Sequence, residues 1–289
     1  MSDAPAPDAA RTASGCFAVP IEQLIFLAIV QGLTEFLPVS SSGHLNLVHL
    51  LTSWEDQGAL LDVAVHVGSL FAVMIYFWRD MWMFMRALWD AARGKFTHDV
   101  QLLLKLVIAC IPIFAVGFVV MSLDLIDGLR SLVVIAWANT IFAIVLLVTD
   151  RIGLTVRRVE HMTVSDAVWV GLAQVLAIIP GASRAGVTMS MARFLGYERR
   201  EAARFSMLLS IPTIMGLGLA TGYKLSKSGD LALQSDALFA SGLSFLAAFV
   251  SIWFMMALLR RTSLLPFVLY RLALGGLLLG LVYNVGSFF

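Results

Sequence analysis

Residues 31–44 read Gln-Gly-Leu-Thr-Glu-Phe-Leu-Pro-Val-Ser-Ser-Ser-Gly-His, and the organisation of the whole chain follows from them. They place a carboxylate, Glu35, inside an apolar run that begins at Ile21. Pro38 should end this helix, because proline lacks an N–H and restricts the residue before it. A carboxylate at the centre of a bilayer costs about 3 kcal/mol on insertion scales. Glu35 therefore needs a partner or a function.

A second stretch repeats this pattern. The sequence Gly-Leu-x-Glu-x-Leu at 32–37 returns as Gly-Leu-x-Gln-x-Leu at 171–176, and a proline and a Ser/Gly-rich turn follow each copy. The first copy ends in His44, and the second carries Arg184. We predict that the two copies supply the two halves of one site.

The composition is that of an integral membrane protein. Of the 289 residues, 60% are hydrophobic and 13% are charged, whereas soluble domains carry about 25% charged residues. A net charge of +1 gives no reason to expect a nucleic-acid partner, and none is predicted. Cys16 and Cys110 lack the spacing of a metal site, and no structural disulfide is expected. Residues 1–19 are rich in Ala, Pro and Asp, which predicts a mobile tail and not a cleaved signal peptide.

Hydropathy predicts an all-α membrane protein with about six transmembrane helices and two re-entrant helix-turn-helix elements. The segments long enough to span a bilayer are 60–78, 102–121, 131–149, 203–223, 237–259 and 265–285. The re-entrant elements are 20–37 with 43–51, and 164–179 with 183–195. Irregular backbone at membrane depth is tolerated where it packs in protein or lines a cavity.

Basic residues predict the orientation, because they mark the cytoplasmic side. The predicted cytoplasmic loops are Arg79–Lys95, Arg151–Arg158, Arg193–Arg204 and Arg260–Arg261. The first re-entrant element then opens from outside and the second from inside. Residues 20–289 form a single membrane domain of two repeats, about 20–150 and 160–289. Three spans per repeat invert the second repeat, the architecture of many transporters.

Two polar side chains on the first helix, Gln31 and Glu35, are spaced so that they can contact each other. Glu35 is a candidate general base or metal ligand; the alternative is a structural carboxylate bound by a helix end or a serine. Gln31 lies four residues earlier on the same face. It could hold the carboxylate or share a cation with it, and the alternative is a neutral packing amide.

The turn after Pro38 is a candidate phosphate site. Ser40, Ser41, Ser42 and Gly43 open a helix whose free N–H groups attract anions. The alternative is a simple N-cap by Ser40 or Ser41. One of the serines could also be a nucleophile if a base lies within reach, and the sequence does not choose among them. His44 is a candidate nucleophile, general acid or metal ligand; the alternative is a structural histidine.

The second turn supplies a positively charged side chain. Arg184 has a guanidinium fork that can bind two phosphate oxygens at once. The alternative is a structural ion pair with Glu35, which would also bring the two residues together. Ser183 and Thr188 are candidate auxiliary donors, with capping and helix packing as their alternative. Asp62 and His66, four residues apart, are predicted to form a supporting pair.

This set of groups suits phosphoryl transfer to water, which needs charge neutralisation, a positioned nucleophile and a proton acceptor. A divalent cation would help to neutralise a diphosphate, and Mg²⁺ binds through one or two carboxylates together with substrate phosphates. Because the site lies between membrane helices, the substrate should be amphiphilic.

The two motifs, residues 31–44 and Pro180–Arg184, closely resemble the signatures of the bacterial undecaprenyl-diphosphatase family, the bacitracin-resistance phosphatases. The resemblance runs from about residue 21 to the C-terminus and includes Asp62–Ser69 and Ser263–Arg271. It implies a phosphatase that converts C55 polyprenyl diphosphate to the monophosphate and inorganic phosphate, recycling the lipid carrier for peptidoglycan synthesis, cell-wall biogenesis and cell shape. It also implies resistance to bacitracin, a divalent cation (Mg²⁺ or Ca²⁺), and a site that opens to the outer face of the bacterial inner membrane.

The resemblance assigns residues one by one. Those that match the family pattern near the site are Glu35, Ser41, His44, Ser183, Arg184 and Thr188. Two positions depart from it: Gln31 stands where Glu is common, and Ala185 where many members have Ser. Gln31 cannot act as a base and is a weaker cation ligand, so a mechanism that needs two carboxylates on this helix is in question here.

Two other functions are compatible with the same sequence. Inverted repeats with broken helices also suit a polyprenyl-phosphate flippase or transporter, although fold alone does not assign function. A non-catalytic polyprenyl-lipid binder would hold the substrate without turnover. A carrier has no need of a nucleophile, so the clustering of base, imidazole and arginine favours the enzyme. A homodimer is left open.

Overall fold

A computed structural model describes residues 19–52, 54, 59–123, 131–228 and 231–285. The predicted tail lies outside these ranges except for Val19. The all-α membrane fold is confirmed. The helices are α1 Ile21–Glu35, α2 Ser41–Leu51, α3 Ala59–Tyr76, α4 Trp78–Ala92, α5 His98–Ser122, α6 Leu132–Ile152, α7 Val164–Val175, α8 Arg184–Phe194, α9 Arg199–Ser228, α10 Leu231–Leu258 and α11 Leu265–Val285.

Four helices among the described residues are long and apolar enough to cross a membrane: α5, α6, α10 and α11. The count rises to five if α3 and α4 are taken as one broken span. The sixth predicted span, 203–223, falls within α9, which is absent from this count. Charged residues at Arg199, Arg200, Glu201 and Arg204 open α9, and its side chains from residue 217 onward lie outside the description.

Two segments that were predicted to be cytoplasmic loops, Arg79–Lys95 and Arg193–Arg204, are mainly helical. Residues 78–92 form the helix α4, which is bent by 85° from α3, because apolar residues recur there every three or four positions. Arg193 lies inside α8 and is fully buried. Arg199–Arg204 form the first turns of α9, so only Leu195–Glu198 remain as the connection.

The two predicted re-entrant elements are two broken helix pairs of the same local design. We call α1–α2 the first broken pair and α7–α8 the second. Ser40 and Ser183 precede α2 and α8 with φ of 72° and 67°, the only positive values at non-glycine residues in the described chain. Each serine hydroxyl accepts a hydrogen bond from the glycine N–H three residues later, Gly43 or Gly186. Two such strained serines at equivalent places are unexpected unless the turns are repeats.

The glycines of the repeated motif also have equivalent roles. A Cβ on Gly32 would lie 2.6 Å from the Ser244 carbonyl oxygen of α10, and one on Gly171 would lie 2.5 Å from the Ala109 carbonyl oxygen of α5. Each glycine thus lets one broken pair approach the backbone of a long helix.

The two halves are packed into each other. The first broken pair packs against α3 and α10, and the second against α5 and α6. The largest apolar cluster draws on both halves, from Phe36 and Leu70 to Met189, Leu208 and Ile252. Helices of the other half thus contact each broken pair: α10 packs on the first, and α5 and α6 pack on the second. The inverted orientation of the repeats remains a prediction from the charge pattern.

Candidate active site

The ends of the two broken pairs meet in an ion pair. Glu35 is the last residue of α1 and Arg184 is the first residue of α8. Arg184 Nη2 donates to Glu35 Oε1 at 3.0 Å, although 149 positions separate them in sequence. Their side chains are 16% and 9% exposed. The structure thus brings the predicted base and the predicted phosphate ligand to one place.

Arg184 is fixed on several sides. Its Nη1 donates to the Ser206 carbonyl oxygen at 3.3 Å, and its guanidinium lies 6.0 Å from the centre of the Phe36 ring. A buried ion pair gains little net stability, because desolvation of both charges offsets their attraction. Net stabilisation alone therefore does not account for the burial of this pair, and its functional role stays a prediction.

Gln31 connects the site to His66, which the sequence analysis had treated as a supporting residue. Its Nε2 donates to Glu35 Oε2 at 2.7 Å and also lies 2.8 Å from His66 Nε2. His66 Nδ1 lies 2.6 Å from the Asp62 carbonyl oxygen. The predicted Asp62–His66 contact is thus made to the backbone of Asp62, and His66 reaches on to the site.

The partners of the two ring nitrogens indicate which of them donates. A carbonyl oxygen only accepts, so His66 Nδ1 is the donor to Asp62. His66 Nε2 accepts from the second amide hydrogen of Gln31 and also lies 3.5 Å from Glu35 Oε2. The reverse orientation of the Gln31 amide would direct its oxygen at the Glu35 carboxylate, which is unfavourable. Gln31 Oε1 is consequently left buried, with no hydrogen-bond partner among the described residues.

The three serines of the first turn have different environments. Ser40 Oγ caps α2 and lies 3.2 Å from Ser42 Oγ. Ser42 Oγ accepts from Gly181 N–H at 2.9 Å, which joins the first turn to the second. Ser41 is half-buried and, within the described part of the chain, its hydroxyl has no hydrogen-bond partner. It is the serine left available to a ligand.

His44 lies on α2 and is held on both ring nitrogens. Its Nδ1 is 2.7 Å from the Ser40 carbonyl oxygen and its Nε2 is 2.6 Å from Tyr270 Oη. The two rings stack with centroids 5.5 Å apart. By the same reasoning as for His66, Nδ1 carries the proton and the Tyr270 hydroxyl donates to Nε2 of the neutral ring. In the described structure neither nitrogen bonds Glu35 or Arg184.

The second turn is braced by a buried cation, Arg271. Its Nη2 donates to the carbonyl oxygens of Gly181 and Ala182 at 2.9 and 3.0 Å, and its Nε donates to Asn139 at 3.0 Å. Arg271 is fully buried, and its Nη1 has no partner among the described residues. The turn that presents Arg184 is therefore rigid.

The remaining predicted donors make packing contacts. Ser183 Oγ caps α8 through Gly186 N–H at 3.2 Å. Thr188 is fully buried; its hydroxyl donates to the Arg184 carbonyl oxygen at 2.8 Å and lies 2.6 Å from Ser206 Oγ. These contacts fix the first turn of α8. A role of either hydroxyl in substrate binding stays a prediction.

A divalent cation would find few protein ligands here. The described residues contain no group of three His, Cys, Asp or Glu that could hold a metal. Glu35 offers a carboxylate and Gln31 offers the unpaired Oε1. This donor set fits a cation such as Mg²⁺, which takes one or two carboxylates and completes its shell with substrate phosphates and water.

Sequence reasoning missed or undervalued His66, Tyr270 and Arg271. Residue spacing gave no signal for Tyr270 and Arg271 and indicated only the Asp62 pair for His66, because their contacts with the site join positions far apart in the chain. The one signal was the extent of the resemblance, which includes the segments 62–69 and 263–271.

Comparison with known proteins gives one consistent result. A family model described as "Bacitracin resistance protein BacA" matches residues 24–277. A protein of Ruegeria pomeroyi named undecaprenyl-diphosphatase is 44% identical over 262 residues, which cover 90% of this chain and 98% of that protein. A protein of Rhodospirillum rubrum named undecaprenyl-diphosphatase 1 is 46% identical over 269 residues, covering 90% and 95%. The family match extends from α1 to α11 and includes both broken pairs.

Proposed function

The chain belongs to the bacitracin resistance protein BacA family, and we therefore propose that it hydrolyses undecaprenyl diphosphate to undecaprenyl phosphate and inorganic phosphate. The names of the relatives state this activity, and the alignments cover 90% of the chain. A phosphatase of this kind returns a lipid carrier to cell-wall synthesis, and the name of the family adds resistance to bacitracin.

One observation carries the proposal: Glu35 and Arg184 meet at the junction of the broken pairs, beside the turn of Ser41, whose hydroxyl has no hydrogen-bond partner among the described residues. A diphosphate needs a cation to bind it, a nucleophile to attack it and a group to accept a proton. The junction supplies all three from two distant segments. The many exposed apolar side chains on the surrounding helices suit a substrate with a long polyprenyl chain.

The reaction transfers the terminal phosphoryl group. An oxygen nucleophile forms a bond to the terminal phosphorus while the bond to the bridging oxygen breaks, and undecaprenyl phosphate leaves with that oxygen. If the nucleophile is the Ser41 hydroxyl, a phosphoserine forms and water then hydrolyses it; if the nucleophile is water, phosphate is released directly. The occupied nitrogens of His44 argue against its acting as the nucleophile in this arrangement.

Glu35 is the proposed proton acceptor. In the ion pair, Arg184 and Gln31 each occupy one of its oxygens. When the Arg184 fork turns to two phosphate oxygens, Glu35 Oε1 becomes free to accept the proton of the attacking hydroxyl. The ion pair thus holds Glu35 and Arg184 in place before the substrate binds. On binding, the contact of Arg184 with Glu35 is replaced by its contact with the phosphate.

The divalent cation is a further part of the proposal. In the alternative in which Glu35 is a metal ligand and not the proton acceptor, Glu35 and Gln31 Oε1 would hold the cation, which when bound would neutralise charge on the diphosphate. Gln31 supplies no second carboxylate, so we expect weak cation binding before the substrate arrives.

The proposed location is the bacterial inner membrane, with the site open to the periplasmic face. The support is the placement of basic residues between spans, which favours a cytoplasmic position for those connections. Whether the protein is a homodimer stays a prediction.

The test is phosphate release from C55 or C15 polyprenyl diphosphate by the purified protein, with Mg²⁺ or Ca²⁺ and with EDTA. We expect cation-dependent release of one phosphate per lipid. Binding of the lipid without release under any cation would contradict the enzyme, and lipid movement across vesicles without release would support the flippase instead.

A further inference from the structure

The helix α4 has a face that no described part of the protein covers. It follows α3 after a bend of 85°. The 18 residues of α3 rise about 27 Å at 1.5 Å each, close to the hydrocarbon thickness of about 30 Å. A helix at a right angle to the end of such a span runs along the membrane surface.

The inner face of α4 fixes its orientation. Asp80 is buried, and its Oδ1 accepts a hydrogen bond from Arg204 Nη2 of α9 at 2.5 Å. Ala87 is fully buried, and Met81 and Phe84 pack against the core. These residues recur every three or four positions, so the opposite face must point away from the protein.

The outer face combines large apolar side chains with a row of arginines. Trp78, Trp82, Met85 and Trp89 are all about 60% exposed. Arg79, Arg86 and Arg93 follow at intervals of seven residues, which is close to two helical turns. Each guanidinium lies over a ring; the pairs are Trp78–Arg79 at 5.3 Å, Trp82–Arg86 at 5.9 Å and Trp89–Arg93 at 4.5 Å from guanidinium carbon to ring centroid.

We propose that this face, the α4 outer face, lies in the bilayer interface and binds the acidic headgroups of phospholipids. Tryptophan prefers the boundary between headgroups and acyl chains. An arginine stacked beside it stands at headgroup level, where its fork can bind a phosphate. Amphipathic helices with this arrangement lie in the plane of the membrane.

Charge selects acidic lipids and disfavours a second copy of the chain. The residues of α4 and the following turn that carry charge are Arg79, Asp80, Arg86, Asp90, Arg93 and Lys95. Asp80 is neutralised by Arg204, which leaves an excess of positive charge on the exposed side. In a two-fold dimer this face would meet itself, and the arginine rows would repel each other.

The proposal is independent of the phosphatase reaction, because the ligand is the bulk phospholipid and the measurement is of binding. The purified full-length protein would be placed in phosphatidylcholine vesicles that contain brominated phosphatidylglycerol, and in matched vesicles with brominated phosphatidylcholine. Bromine quenches tryptophan fluorescence on contact, so the two series give the relative affinity for the acidic lipid.

We expect phosphatidylglycerol to be preferred by about fivefold, the factor for one basic residue near an acidic surface. The ratio of the affinity for phosphatidylglycerol to that for phosphatidylcholine should fall close to one in the triple variant Arg79→Gln/Arg86→Gln/Arg93→Gln. The preference should persist in Arg151→Gln/Arg260→Gln/Arg261→Gln, which removes three other exposed arginines and the same charge.

A second variant keeps the proposal testable if the glutamine variant does not reconstitute. Trp78→Phe/Trp82→Phe/Trp89→Phe retains every charge but removes these reporters, so the remaining fluorescence should show no preference. Equal quenching by both lipids in the wild type would overturn the proposal, as would a preference that survives the arginine replacements. So would a dimer that dissociates when the α4 arginines are replaced, because the face would then belong to a second copy.

Discussion

At the scale of single residues, the site depends on which polar atoms are already occupied. Ser40 caps α2 and Ser42 binds the second turn, whereas the hydroxyl of Ser41 has no hydrogen-bond partner among the described residues. Gln31 donates both amide hydrogens, and its oxygen has no hydrogen-bond partner in the described part of the chain. We therefore propose Ser41 as the reacting hydroxyl and Gln31 Oε1 as a cation ligand, although neither residue looks special beside its neighbours in the sequence.

Replacing the serines one at a time tests this assignment. Ser41→Ala should lower the rate of phosphate release by about a hundredfold, or about 2.7 kcal/mol of barrier, and leave the thermal unfolding midpoint unchanged. Ser42→Ala should lower the unfolding free energy by about 1 kcal/mol, because the Gly181 N–H loses its acceptor. If Ser41→Ala kept full activity while folded, Ser41 would be excluded as the nucleophile.

Gln31→Glu tests the cation site. The variant places a second carboxylate beside Glu35, which should strengthen binding of a divalent cation. We expect the Mg²⁺ concentration for half-maximal activity to fall severalfold. Gln31→Met is the matched control, since it keeps a similar size without a ligand oxygen and should raise that concentration. An unchanged Mg²⁺ requirement in both variants would remove Gln31 from the cation site.

At the scale of helices, close approach of the backbones positions the two broken pairs. Gly32 and Gly171 were recognised in the sequence as a repeated motif, but the reason for glycine appeared only with the helices that press on them. The serine caps and the proline breaks were predictable from local chemistry. The helix α4 was not, because its arginines were interpreted as loop residues and its apolar periodicity was overlooked.

Gly32→Ala and Gly171→Ala should each destabilise the protein by about 1–3 kcal/mol, the usual cost of overpacking, because the new Cβ would strike a carbonyl oxygen at about 2.6 Å or less. Gly242→Ala on α10 is the control, since no atom of the described residues lies within 4 Å of its Cβ position. Alanine there should be neutral or stabilising, because alanine favours the helix by about 1 kcal/mol. Unfolding in detergent, followed by circular dichroism, would measure all three; equal midpoints would contradict the packing argument.

At the scale of the whole molecule, the halves are tied together at one buried carboxylate as well as at the site. Asp150, near the end of α6, accepts from Arg193 Nε at 3.0 Å, Arg199 Nε at 2.8 Å and Leu264 N–H at 3.2 Å. It therefore joins α6, α8, α9 and the connection that precedes α11. The sequence placed these arginines in a loop, because nothing local indicates that a buried acid lies beside them.

Asp150→Asn should lower the free energy of unfolding by about 3–5 kcal/mol, since removing one partner leaves buried charge uncompensated. Glu198→Gln is the control: its pair with Arg158 is exposed, at 3.4 Å, and exposed pairs contribute at most about 1 kcal/mol. Yield and unfolding midpoint in detergent would report both. Similar small losses in the two variants would show that Asp150 has no special structural role.

The membrane class, the repeated motif and the residues that meet at the junction were accessible from the sequence, because hydropathy, proline and buried charge act locally. The partners of those residues were not. His66 reaches Gln31 and Tyr270 reaches His44 only after distant helices pack. The hydrogen bond from Gly181 N–H to Ser42 Oγ likewise depends on where the second turn lies.

The most direct test of the account is a double-mutant cycle on Glu35 and Arg184, measured as phosphate release from a polyprenyl diphosphate. Glu35→Gln and Arg184→Gln should each lower kcat by at least about a hundredfold. If the two residues act as one unit at the junction, the double variant should be hardly slower than either single variant. Losses that multiply to about ten-thousandfold would mean that the two residues act independently, and would contradict a single site built from both halves.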